Sequence, residues 1–267
     1  MGMQKPALLF ICIAAAALPA ACGWKADGVA RLDELAPLPD AGDAGSALPD
    51  ASFGDVGGTG LPGRWAVHLT EPGNVAPQGL EPWAITINDY FIAEIDEAAT
   101  SARLTFCDQI VESTGPMGLS TTPDMLIAAL AASDVVIPLP GDGTFTSSDV
   151  AWVWGVKDLA DTAHGSLVDH AYDQDADGNP GVTVDVTNPD GRRYLVRRSV
   201  WQFEEGTLDA DSRFLTGKLA FTVEETALGA TSDLLMTVAP IEPIVRGSKY
   251  ELNRVGTEYT CKDYLGK

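Results

Sequence analysis

Three aspartates at alternate positions, closed by a glycine, form the most chemically specific stretch of this chain: Asp173-Gln174-Asp175-Ala176-Asp177-Gly178-Asn179-Pro180-Gly181. Calcium is a hard cation that takes six to eight oxygens at ~2.3–2.6 Å. Alternating carboxylates in a tight loop project toward one such centre. Gly178 permits the sharp turn after the third aspartate. The spacing puts the main-chain carbonyl of Asn179 at the seventh position of a twelve-residue calcium loop, where a backbone ligand is needed. The pattern then departs: Gly181 holds the ninth position and Val184 the twelfth, where a bidentate glutamate belongs. Asp169 upstream and Asp185 downstream are the nearest acids able to complete the set. The expectation is a calcium site of Asp173, Asp175, Asp177, Asn179 and Asp185, weak, at ~10⁻⁴–10⁻³ M. Its alternative is an acidic turn whose Asp and Asn side chains cap their own backbone.

Other candidates are less specific. Arg192, Arg193, Arg197 and Arg198 are the one basic cluster. Strand alternation puts Arg193 and Arg197 on one face and Arg192 and Arg198 on the other. One pair could line a cavity and hold an anionic group, since arginine pairs bidentately with carboxylates; ion pairing with the chain's own acids is the plainer use. Trp152 and Trp154 share a face and serve either a core or a ligand pocket. His164, Asp169 and His170 are metal-ligating types without a motif spacing, and read as solvated loop residues. His68 reads as a half-buried strand residue. No nucleophile elbow, zinc-protease helix or phosphate-binding glycine loop is present in the sequence. Nothing here points to catalysis, although catalytic groups can converge from distant segments.

Of the 4 cysteines, Cys107 and Cys261 lie in the body of the chain. In an oxidising compartment a disulfide is the default for such a pair, with two buried thiols as the alternative. The N-terminus supplies the compartment. Lys5 is followed by an uncharged apolar run, Ala7 to Pro19, about the length of a signal-peptide core and short of the ~20 residues of a membrane span. Residues 1–21 read as a signal peptide. Leu18-Pro19-Ala20-Ala21-Cys22-Gly23 resembles the lipobox of bacterial lipoproteins, which implies lipidation of Cys22 and attachment to a membrane. The leucine stands one position early, so ordinary cleavage after Ala20 or Ala21 is the alternative. Gly23 is not the aspartate linked to inner-membrane retention, which by resemblance implies the outer membrane or cell surface.

The segment to residue 62 is rich in Ala, Gly, Pro and Asp and poor in aromatic and β-branched residues. Such a composition cannot offset its ordering entropy, so 22–62 reads as a disordered acidic tether. The remainder, 63–267, reads as a single all-β domain of many short strands. Expected strands include 65–69, 83–87, 91–95, 102–107, 135–139, 151–156, 182–187, 193–203, 218–224, 234–238 and 249–255. Asn188-Pro189-Asp190-Gly191 is the strongest hairpin turn. Leu126 to Ala132 is the one expected helix, with Thr122 as its cap and Pro123 in its first turn. With 38 acidic against 17 basic residues, a net charge of −21, nucleic acid is not an expected partner.

Gly63-Arg64-Trp65 at the start of the first strand resembles the Gly-x-Trp of lipocalin-type barrels. That resemblance implies an antiparallel lipocalin-like β-barrel, with Trp65 plugging its base and Arg254 packed across it. The span from Gly63 to Cys261 also resembles uncharacterised exported lipoproteins of myxobacteria and their relatives. The shared features are Gly-x-Trp, a mid-chain cysteine, the Asp-x-Asp-x-Asp-Gly-x-Pro-Gly-Val-Thr-Val run, an arginine-containing strand and a C-terminal cysteine. The group brings no activity with it. The expected function is a lipid-anchored envelope protein binding a small apolar ligand; the alternative is a calcium-stabilised structural or interaction module.

Overall fold

The computed structural model describes residues 59–76, 81–115, 119–133, 135–187, 189–237 and 239–266. The expected signal peptide, Cys22 and the tether as far as residue 58 lie outside them.

The described chain is mostly antiparallel sheet. Its strands are β1 (Gly63–Val75), β2 (Trp83–Ile95), β3 (Ser101–Ser113), β4 (Leu119–Thr121), β5 (Val135–Pro138), β6 (Val150–Trp154), β7 (Val182–Thr187), β8 (Gly191–Leu208), β9 (Phe214–Ala230), β10 (Ile241–Pro243) and β11 (Lys249–Arg254). Two short helices, α1 (Asp124–Ala131) and α2 (Cys261–Leu265), complete it. The hydrogen-bonded order runs β1-β11-β9-β8-β7-β4-β3-β2 and returns to β1, so the strands form a ring. Between β3 and β8 the wall is shared. At one end β4 and β7 bridge the gap; at the other β5 bonds to β3 and β6 to β8.

Several strands are longer than their apolar runs. Residues 83–87 and 91–95 belong to one continuous strand, paired with β1 from Gly63↔Ile95 to Val75↔Trp83. The polar triplet Asn88-Asp89-Tyr90 reads as a break, but all three have partners in the fold. Asn88 binds His68 on the outer face, and Asp89 accepts from Gln109 within the ring. The register of β2 against β3 slips at Tyr90/Phe91, leaving Cys107 as an extra residue on β3. This bulge lets Phe106 and Gln109 both face inward while Cys107 faces outward.

Three expectations need correction. Of the strand expected over 234–238, the described residues 234–237 form none: Asp233–Leu235 is a single 3₁₀ turn, with Leu235 tucked into the core. Thr122 does not cap α1; Pro123 is the N-cap residue, at φ −62° and ψ 153°, and no side chain accepts a bond there. Proline's fixed φ suits that position. His68 is only 4% exposed, stacked on Tyr90 at 4.7 Å.

Inside the ring, Phe91, Phe106, Trp152, Trp154 and Trp201 form one connected aromatic cluster. Trp152 is therefore core. Trp65 is fully buried and donates from Nε1 to the Leu61 carbonyl. The Arg254 guanidinium sits 4.2 Å from the Trp65 ring centre, the cation–π contact expected of these two residues. Its nitrogens also donate to the carbonyls of Ser212, Pro62 and Gly60. Leu61 is already core, so order begins before the first strand. On the outer face, Ala66, Ile92, Cys107, Val255 and Tyr264 make a second cluster beneath α2. The Cys107–Cys261 disulfide pins α2 there, across 154 residues of chain. A capping box between Thr260 and Asp263 starts that helix.

Candidate functional site

Two places bring chemistry-bearing residues together. The first is a polar belt inside the ring. On β1, the residues facing the core are Trp65, Val67, Leu69 and then Glu71; on β2, Phe91 is preceded in phase by Asp89. Glu71 and Asp89 are fully buried. Gln109 joins them from β3, Arg197 and Ser199 from β8, and Glu225 from β9, opposite Arg197.

The belt is knitted by directed bonds. Trp201 Nε1 donates to Glu71 Oε1 at 2.5 Å. Gln109 Nε2 donates to Asp89 Oδ1 at 2.6 Å, while its Oε1 accepts from Arg197 Nη1 at 2.9 Å. The same Arg197 nitrogen is 3.5 Å from Glu225, and the guanidinium stacks 4.7 Å over Trp154. Burial raises the Glu71 carboxyl well above its usual range, and Asp89 raises it further; Arg197 and the Trp201 N–H only partly offset this. Burial likewise raises Asp89 against the pull of Arg197 and Gln109. With one guanidinium among two sealed carboxyls and Glu225, the protonated form of the buried pair is favoured beyond the ordinary carboxylate range.

Next to the belt is a cavity of about 170 Å³. Val75, Ile85, Ile87, Val184 and Val186 give it apolar walls; Gln109, Arg197, Glu225 and Arg193 give it a polar side. The segment after β9, through Leu235 and Ile241, forms a further wall. Of the two same-face pairs expected from alternation, Arg193 and Arg197 are the pair that lines a cavity. Arg192 and Arg198 face outward and pair with Asp185 and Glu224. Trp154 lines the cavity as well as the core.

The second place is the aspartate loop. Gly181 N–H donates to the Tyr172 carbonyl and Gln174 N–H to the Gly181 carbonyl, closing the loop at its neck. The Gln174 side chain accepts from Gly155 N–H at 2.6 Å. Gly155 (φ +68°) and Gly181 (φ +85°) meet backbone to backbone, and a Cβ on Gly181 would lie 2.2 Å from the Leu195 carbonyl oxygen. Only glycine fits there. The loop is thereby pressed against the sheet where β7 begins.

Within it, carboxylate oxygens of Asp173, Asp175 and Asp177 lie within 4.8 Å of one another, a cluster that could hold a metal ion. Asp173 accepts from the N–H groups of Asp177 and Gly178, and Asp177 from Asn179 and the Thr183 hydroxyl. Asp175 is 8% exposed; its Oδ2 accepts from Thr183 N–H, and its Oδ1 is buried with no hydrogen bond. Burial raises the Asp175 carboxyl, with Asp177 and Asp173 adding to the push. Asp185 stands apart from the three, its Oδ1 3.2 Å from Arg192 Nε. Asn179 serves through N–H donors to Asp177. His164 is exposed beside Asp161, outside any such cluster.

Glu71, Asp89 and Gln109 were not among the candidates read from sequence. For Glu71 and Asp89 a signal existed in their phase, since each sits where its strand's alternation demands a core residue; Gln109 carried none, because the bulge at Cys107 shifts its phase. The belt generates a pH prediction. A carboxyl whose native pKa is raised favours folding below its unfolded pKa and loses that contribution as pH rises through the native value. Stability of the native protein, from urea midpoints, should fall as pH rises above the ordinary carboxylate range. Glu71→Gln should flatten that slope, because the amide still accepts from Trp201 without needing a proton; an unaltered slope would refute the favoured protonated form.

Comparison of this chain with family models, with curated proteins and with solved structures gives no match.

Proposed function

We propose that this is an exported, lipid-anchored envelope protein that holds a small ligand with an apolar body inside a lipocalin-like β-barrel. The observation carrying the reading is the cavity of about 170 Å³, lined by apolar side chains together with a few polar and charged ones. Ligand sites have this composition: mostly apolar surface with a few placed polar groups that fix orientation. The barrel reading is supported by the return of the strand order to β1 and by Arg254 packed over Trp65 of the Gly-x-Trp triplet. The anchor rests on the lipobox-like run ending at Cys22.

The ligand is small, because the cavity falls below the ~300–1,000 Å³ of drug-sized sites. Native mass spectrometry of the protein purified from its own membranes should show a low-mass adduct that is lost on denaturation. Ligand-free protein alone, under gentle extraction, would defeat the reading. The anchor is separately testable. Cys22→Ser should move the protein from the membrane fraction to the soluble fraction, and unchanged membrane association would count against lipidation.

A second reading is favoured by the aspartate loop: a calcium-stabilised structural or interaction module. Three convergent carboxylates with one sealed, unbonded oxygen on Asp175 suit a hard cation, which would relieve both the repulsion and the orphaned acceptor. Asp173, Asp175 and Asp177 would hold it, with water or backbone oxygens completing the shell. At ~10 mM calcium and the affinity of extracellular modules, mass action stabilises by about 1.5–3 kcal/mol. The melting temperature should rise by several degrees with calcium. Asp175→Asn should abolish that rise, and a melting temperature indifferent to calcium would leave the loop as a self-capped turn.

A further inference from the structure

The cavity-binding reading leaves the chemistry of the ligand open, and the arginines of β8 narrow it. The run Arg192, Arg193, Arg197, Arg198 lies in a protein with more than twice as many acids as bases, 38 against 17. Three of the four have found acids: Arg192 pairs with Asp185, Arg197 with Glu225 and Arg198 with Glu224. Arg193 has not. Its Nε donates to the Leu235 carbonyl at 2.8 Å, and no carboxylate forms an ion pair with it among the described residues. The nearest acid acting on it is Glu225, which Arg197 already holds.

The unpaired arginine is the one placed for a ligand. Arg193 lines the cavity and is only partly open to solvent. The Leu235 carbonyl fixes its guanidinium at Nε, leaving both terminal nitrogens without a hydrogen-bond partner among the described residues. Two parallel N–H donors from a planar fork match the two oxygens of a carboxylate. Arg197 also has two nitrogens without a hydrogen bond, Nε and Nη2, but both are buried and its charge is already met by Glu225 and by the field of Glu71 and Asp89. A doubly charged phosphate would meet Glu225 as well, which disfavours it. Val75, Ile85, Ile87, Val184 and Val186, which also line the cavity, offer only apolar contact.

We infer that the cavity takes a small monocarboxylate with an apolar body, and that Arg193 is its counter-ion. The inference rests on the reading of the cavity as a ligand site. The anion meets the two free nitrogens of Arg193, and the hydrocarbon part fills the valine and isoleucine walls.

The test is a matched series on the full chain: hexanoate, hexanamide and hexylamine, titrated by intrinsic fluorescence. Trp83 and Trp154 both line the cavity and report occupancy. Hexanoate should bind at least about tenfold more tightly than hexanamide, and hexylamine more weakly than either. The wild-type series alone decides the ligand class, without any variant. Arg193→Gln should bring hexanoate and hexanamide to equal affinity. Arg193→Lys should keep part of the preference, having the charge but not the fork, and Arg192→Gln should keep all of it. Equal binding of hexanoate and hexanamide by the native protein, or a preference that survives Arg193→Gln, overturns the carboxylate inference while the cavity reading stands. Binding of none of the three overturns both.

Discussion

The ring depends on the place where the first strand meets the last. β1 is hydrogen-bonded along both edges, to β2 throughout and to β11 and β10 in turn. Trp65 and Arg254 are register partners in that seam. The guanidinium covers the indole on one side and gathers the carbonyls of Gly60, Pro62 and Ser212 on the other. One side chain thus ties the entering chain, the β8–β9 turn and the last strand together. Without that seam β1 and β11 would be open edges, with unpaired backbone groups and half of the aromatic interior exposed. The disulfide acts on the same region from outside, holding α2 over the outer face of β1 to β3.

Once the ring is closed, its interior has to be filled, and it is filled unevenly. One level is packed with aromatic rings. The next carries Glu71, Asp89, Gln109, Arg197 and Glu225. Buried carboxyls with incomplete compensation usually cost stability relative to an apolar core. Their presence between a packed level and a cavity makes sense if the polar level orients something, and here it draws Arg197 and Glu225 together and leaves Arg193 free. The aspartate loop performs a comparable service at the start of β7. Backbone contact between Gly155 and Gly181, with the amide of Gln174, fixes the loop whether or not a cation occupies it.

Strand edges were legible where apolar alternation was clean, as in β6, β7 and β11, and the Asn188–Gly191 turn was legible from turn chemistry. They were not legible where polar residues were buried. Asn88 and Asp89 looked like a loop because their partners, His68 and Gln109, are 20 residues away in either direction. Residues 234–238 looked like a strand because Leu234 and Leu235 are apolar. In the fold one leucine, Leu235, enters the core and the other, Leu234, stays exposed.

By itself the sequence determined the all-β class and the convergence of three aspartates, which follow from local alternation and from spacings within one loop. It made a Cys107–Cys261 disulfide the default over two buried thiols, and the approach of Arg254 to Trp65 was implied only by the resemblance to lipocalin-type barrels. It also put Arg193 and Arg197 on one face, since a strand's period of two is a local property. Only the tertiary structure decided which acid each arginine meets, that Glu71 and Asp89 are sealed in the ring, and that Asp185 turns to Arg192 rather than to the loop. Those outcomes depend on registers between strands distant in sequence, where one residue's slip sends a side chain to the opposite face. The bulge at Cys107 is such a slip, and it is what brings Gln109 to Asp89.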